Sequence, residues 1–424
     1  MAVTPFEFLV NSGRFENVVK RDADGNPSVF VKFPKMTSWQ LSDNLPLHTH
    51  PAFIIDGVEQ DYILIGKYKG AEVKVGGTIY SLPNVPPAYA LSYDGALARM
   101  KAAGTGISGM TIADYGFLLL LAQKNGWTPQ GNTRYAVAAQ NSSIPRWNTM
   151  NGQSYRVGDI VQYGGRLYTC LTAYTGGERA DGTNRPDVSP AYWEPGDMLG
   201  GIPWPGDNII GANPDYGMYT LNGSGPVAWY LGGDISDIAD IQGSVQEYVY
   251  GYRVVKCELQ ILPDNDAASP TADLSENSGA WKAILPGEAD EYSLVEPGTP
   301  GTLHWDYQNN RLVLRAGAPG SYMGGGASRA FKDLTCDSTL AGGVPMIVRE
   351  LGLFPTNGSA MPGVTGATMK GDDSEYIALC GCKYNTSASS TGLGSVRASY
   401  NRTTAATTKD KSGMSVGCRP RALA

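Results

Sequence analysis

Alternation of apolar, aromatic and polar positions marks KFPKMTSWQL (32–41) and FIIDGVEQDYILIGKYKG (53–70) as half-buried strands. The pattern then changes to helical spacing. One helix is predicted from Ser92 or Asp94, either of which can cap free amides, through ALARMKAA to a left-handed stop at Gly104. A second starts at Thr111, with Asp114 three residues on, runs through GFLLLLAQ and ends at Gly126. Further along, VQEYVYGYRVVKCELQIL (245–262) is the clearest strand-rich stretch.

Between these regions, Trp147 to Asp197 is a tract of Trp, Tyr, Gly and Asp bounded by Pro145 and by Pro195-Gly196. Its pieces YRVGDIVQY and GRLYTCLTAY are joined by Gly164-Gly165, a hairpin signal. The tract reads as a module inserted into a surface loop of a host body. The expected organisation is an N-terminal segment (1–40), a body in two parts (41–145 and 198–424) and the insert (146–197). The last fifty residues are rich in Ser, Thr, Gly and Asn. Tyr376, Ile377, Leu379, Tyr384, Leu393, Val396, Tyr400 and Val416 punctuate them, so an ordered, loop-heavy surface is expected.

Composition narrows the class. With 54 glycines, 27 prolines and 24 tyrosines in 424 residues, the chain favours short strands and turns over long helices. Thirty-three basic against forty acidic residues give a net charge of -7, with no basic cluster to neutralise phosphates, so nucleic acid is not expected as a partner. The longest strongly apolar run, Phe117 to Ala122, is too short to cross a bilayer, and no membrane span is expected. The amino terminus lacks the pattern of a secretory signal, so any extracellular role is expected to be reached by another route, of which release by lysis of the producing cell is one. Six scattered cysteines without C-x-x-C spacing read as reduced structural thiols, and neither cofactor nor metal is expected.

Two resemblances sharpen this reading. The stretch 221–268 resembles the C-type-lectin-like fold shared by formylglycine-generating enzymes and the variable proteins of diversity-generating retroelements. Gly243, Ser244, Val245, Gln246, Glu247, Tyr248 and Val249 stand where that family carries Gly-Asn-Val-Trp-Glu-Trp-Val, and Val416-Gly417-Cys418-Arg419-Pro420 resembles its closing Gly-Phe-Arg-Pro. The helix pair and its exit WTPQGNT are similar to phage structural proteins of this kind. Cys380-Gly381-Cys382 departs from the paired reactive cysteines of the enzymes. The insert resembles chitin-type carbohydrate-binding modules of families five and twelve, through Trp147, Tyr155, Gly158-Asp159, Val161, Tyr163, Gly165, Tyr168 and Tyr192-Trp193. Together they imply an α+β, loop-rich fold: a C-type-lectin-like domain with a small all-β inserted module.

An aromatic ring offers a flat apolar face to the C–H side of a pyranose, and a few polar groups orient the hydroxyls. Trp147, Tyr163, Tyr168, Tyr192 and Trp193 are the candidate sugar contacts. About half of the five are expected in the module's own core, with Tyr163 and Trp193 facing a ligand. Tyr384, Asn385, Arg397, Tyr400, Asn401 and Arg402 mix rigid aromatics with adaptable polar groups, as in recognition loops; an ordinary solvated face is the alternative. His48 and His50 could point to one side of a strand, but a surface or interface role is expected rather than metal binding. His304 beside Trp305 and Asp306 lacks a nucleophile motif.

The function expected is that of a non-catalytic phage virion protein, at a tail fibre tip or as a head fibre or decoration, which binds host surface polysaccharide or glycan. Its other partners would be virion proteins and further copies of itself, a trimer by analogy. Two alternatives stand: a purely structural virion protein without ligand, and a cell-wall polysaccharide-degrading enzyme, for which Asp234, Asp237, Asp240 and Glu247 are the available acids.

Overall fold

A computed structural model describes residues 15–74, 76–147, 153–175, 184–204, 219–320, 327–356, 366–369, 374–384, 386, 396–400, 402 and 416–424. The architecture is mostly β, with 35% of the described residues in strands against 15% in helices and a large curled sheet. This overturns the expected α+β, loop-rich class with an all-β insert. That class is what the family likeness implied, whereas composition alone favours short strands and turns over long helices. Two other α-helices among the described residues, Ser38–Leu41 and Met346–Glu350, are only four and five residues long.

The long helices lie where capping chemistry puts them. Ser92 accepts from the Gly95 amide ahead of Tyr93–Lys101. Thr111 and Asp114 form a reciprocal capping box ahead of Ile112–Lys124. KFPKMTSWQL is only partly a strand. Pro27–Pro34 ends the pairing, and Thr37 and Gln40 then cap each other, which turns Ser38–Leu41 into a helix. The 53–70 stretch does pair, as Ile54–Ile55 with Val58–Glu59 and as Tyr62–Gly66 with Pro27–Pro34.

Two sheets carry the body. The smaller is antiparallel, in the order Asn17–Arg21, Pro27–Pro34, Tyr62–Gly66, Pro420–Ala422, Ile107–Gly109. The larger is built around Gln246–Val255, flanked by Glu258–Ile261 and Glu375–Cys380, with Leu303–Gln308 and Arg311–Ala316 beyond Glu258–Ile261. Helix Ile112–Lys124 is buried from Ile112 to Ala122 and shares one core with Phe33 and Ile65 of the smaller sheet and Val249, Tyr252 and Leu259 of the larger. A helix apolar all round needs cover on every side, and here both sheets supply it. Gly116 lets Met346–Glu350 close in: a Cβ there would lie 2.2 Å from the Glu350 carbonyl oxygen.

A short strand near the C-terminus pairs with the middle of the chain. Val416–Gly417 pairs in parallel with Gln246–Glu247, so the two segments that resemble family signatures are neighbours. Of the punctuating residues near the C-terminus, Tyr376, Ile377, Leu379, Tyr384 and Val416 are buried, whereas Leu393 lies outside the described residues.

Candidate functional site

The 147–198 segment folds around its own aromatic core. Ile160–Tyr163 and Arg166–Cys170 form a hairpin, joined by Gly164 (φ +56°) and Gly165 (φ +79°), the left-handed pair that a tight hairpin turn needs. Trp193–Met198 adds a third strand against Arg166–Cys170, and Ser154–Tyr155 pairs with Tyr174–Thr175. Period-two alternation then sends Val161, Tyr163, Tyr168 and Cys170 to one side, where they meet Trp147, Tyr155 and Trp193. The segment's two ends meet at the hairpin. Gln162 bonds to Pro145 and Trp147 on entry, and the Gly165 carbonyl accepts from the Leu199 and Gly200 amides on exit.

Four of the five aromatic candidates belong to this core. Trp147 and Trp193 are each 1% exposed, Tyr163 and Tyr168 each 8%. Their rings pack edge to face, Trp147 against Tyr163 at 5.4 Å and Tyr155 against Trp193 at 5.2 Å. The indole N–H groups are also occupied: Trp147 donates to the Tyr174 hydroxyl (3.0 Å) and Trp193 to the Asn184 carbonyl (3.1 Å). The expectation that Tyr163 and Trp193 face a ligand is therefore corrected. A unit this small has to fill its core with large rings before any can be left outside.

Tyr192 is different. It is half-buried at the end of the core, and its ring meets that of Tyr174, also half-buried, edge to face at 5.3 Å. The Tyr192 carbonyl accepts from the Leu171 amide, and the Thr172 hydroxyl donates to the Ala191 carbonyl. Leu171 is 44% exposed. Two partly covered rings and an exposed apolar side chain thus lie together at the module's edge, where a sugar's C–H face could pack. Sequence reading missed Tyr174. Its signal was an aromatic at the end of GRLYTCLTAY, four residues past Cys170, where the strand alternation that fills the core ends.

Of the second candidate set, Tyr384 and Arg402 are held within the body. Tyr384 is fully buried, against Tyr219 and Tyr135. Arg402 is locked in ion pairs to Glu375 (2.8 Å) and Asp94 (2.7 Å), with its guanidinium over the Tyr93 ring. Arg397 and Tyr400 lie on strand Val396–Tyr400, and Asn385 and Asn401 lie outside the described residues.

The acids and histidines singled out in the sequence have structural partners. Asp234 accepts from Ser236, Asp237 from the Ile238 amide and Asp240 from the Gly223 amide, and Glu247 pairs with Lys69 and Arg419. His48 Nε2 lies 2.5 Å from the Glu350 carboxylate, which holds its pKa above the ordinary value. His50 is fully buried. Its Nδ1 accepts from the Ala52 amide and its Nε2–H donates to the Glu350 carbonyl, so the ring is neutral, and burial takes its pKa down to about 4. No cluster of three metal-ligating side chains occurs among the described residues.

Comparison with known proteins agrees with the aromatic module. Residues 146–194 match carbohydrate-binding module family 5/12, so the chain contains a carbohydrate-binding module. No curated protein matches the chain.

Proposed function

We propose that this chain is a non-catalytic adhesin of a phage particle that holds host surface glycans through its inserted module. The observation that carries the reading is the module itself: a family match over 146–194 together with a rigid aromatic core that leaves Tyr192 and Tyr174 at its edge. The particle is suggested by the likeness of the helix pair and its exit WTPQGNT to phage structural proteins. Weak single contacts suffice there, because many copies on one particle multiply avidity. The acids considered for glycan cleavage are all engaged in structural bonds, which favours binding over hydrolysis.

A pull-down of the full chain on insoluble chitin and on peptidoglycan tests this reading. Retention on at least one polymer, lost in Tyr192→Ala and with no soluble sugar released, is the expected result. Failure to bind either polymer, or release of reducing ends, overturns it.

A further inference from the structure

A second site lies on the large sheet, away from the module. A cavity of about 360 Å³ opens between the turn at Val255 and Lys256, the loop Pro297 to Gly301, and the cross-strand neighbours Glu258 and His304. The loop is two successive Pro-Gly turns. Gly298 (φ +82°) and Gly301 (φ +87°) supply the left-handed positions, and the Thr299 and Thr302 amides close the turns on the carbonyls of Glu296 and Thr299. Glu258 clasps this rim from beneath. Its carboxylate accepts from the Gly298 amide (3.0 and 3.1 Å), the Thr302 hydroxyl (2.6 Å) and Gln260 Nε2 (2.7 Å). The cavity wall is therefore fixed before any ligand arrives.

His304 is the group left over. It is 8% exposed, and its Nδ1–H donates to the Thr302 carbonyl at 2.8 Å. That bond makes Nε2 an acceptor, and among the described residues Nε2 has no hydrogen-bond partner. Burial lowers the pKa of the ring, which keeps the lone pair available. The Nε2 atom is not among the fully buried ones, so at the cavity wall a donor from outside can reach it. The remaining walls are apolar, from Pro297, Pro300 and Ala318, and the exposed Lys256 stands at the mouth.

We propose that this cavity is a second binding site, for a single sugar ring that donates a hydroxyl hydrogen bond to His304 Nε2 and lays its C–H face on Pro297 and Pro300. The volume is near the lower end of the roughly 300–1,000 Å³ range of small-molecule sites, enough for one ring and not for a chain. A donor with an apolar face suits this accessible acceptor and its proline walls; the choice of a sugar among such molecules rests on the proposed glycan role.

The test is ligand-observed saturation-transfer NMR on the full chain with glucose, galactose, N-acetylglucosamine and glucuronate. Four proteins are compared: the wild type, His304→Phe, which keeps a ring and removes the acceptor, Ala318→Trp, which fills the mouth and leaves His304 in place, and Tyr192→Ala. At least one sugar is expected to bind the wild type and Tyr192→Ala alike, and about tenfold more weakly to His304→Phe and Ala318→Trp. No binding by any of the four sugars overturns the proposal, as does binding that Tyr192→Ala alone removes. Because chitin retention reads the module and this signal reads the cavity, either can fail without the other.

Discussion

The guanidinium of Arg419 and the carboxylate of Glu247 meet at 3.0 Å with 0% and 1% of their side chains exposed. Lys69 reaches the same carboxylate at 2.9 Å. Arg419 also donates to the carbonyls of Gly66, Lys67 and Ala239, so one side chain between strands Val416–Gly417 and Pro420–Ala422 ties both sheets and the loop before Gln246–Val255. Buried charges at this density persist only when each is paired and hydrogen-bonded.

The arrangement is asymmetric, two cations on one anion, and that predicts unequal mutational costs. Glu247→Gln strands both cations and is expected to cost about 3–5 kcal/mol. Lys69→Met leaves the Arg419–Glu247 pair intact and is expected to cost much less. Urea denaturation of the two variants checks the order; equal costs would show that the carboxylate does not organise the cluster.

In the module, stability and binding are expected to separate by residue. Trp193→Ala removes a ring that is 1% exposed at the centre of the core and is expected to cost about 3–5 kcal/mol, enough to unfold so small a unit. Tyr192→Ala, at the half-buried edge, is expected to leave near-native stability and lose retention on glycan. Thermal denaturation beside a chitin pull-down distinguishes them. Binding that survives Tyr192→Ala in a folded protein would remove this surface as the glycan contact.

These two residues also show where sequence was legible. Capping chemistry located both long helices, through Ser92 and the Thr111–Asp114 pair, and Gly164-Gly165 located the hairpin, because those signals are local. Which aromatic faces outward is not local. Tyr192 and Trp193 are adjacent and chemically alike, and only the pairing of Cys170 with Trp193 decides that Trp193 turns inward. The fold class failed for a related reason: Gly366–Met369 and Val396–Tyr400 join the curled sheet from glycine- and serine-rich sequence, where strand patterning is faint and long-range pairing does the selecting.

Acid is expected to weaken the fold through His50. Its ring is buried neutral with a pKa of about 4, against 6.5 for the ordinary group, so below pH 6.5 the unfolded chain binds a proton that the folded chain refuses. Stability is therefore lost as pH falls from about 6.5 to 4, by about 3 kcal/mol in all. His48 works in the opposite sense. Its pKa is raised by Glu350, so its contribution is complete below pH 6.5 and fades as pH rises through the folded value. Denaturation midpoints across this range, for the wild type and His50→Asn, measure the difference; identical slopes would exclude His50 as the acid-sensitive group.

Arg402 was a candidate for ligand recognition, yet its surroundings assign it to the scaffold. Its Nε and Nη2 grip both oxygens of Glu375 at 2.8 Å, its Nη1 holds Asp94, and its plane lies 4.7 Å from the Tyr93 centroid. Arg253 holds the same Glu375 at 2.9 Å while stacked on Trp281, so the acid keeps a partner when Arg402 is removed. Arg402→Ala should thus lose a bidentate pair and a cation–π contact without orphaning a charge, a cost of about 1–3 kcal/mol. Arg402→Lys should recover little of it, because an ammonium cannot make the two-point contact. Glu375→Gln should cost more than either, since it leaves two guanidinium groups facing each other across a neutral amide. Chemical denaturation of the three variants gives the ranking, and glycan retention should be unchanged in Arg402→Ala. A folded Arg402→Ala of native stability that no longer holds glycan would return this residue to the recognition surface.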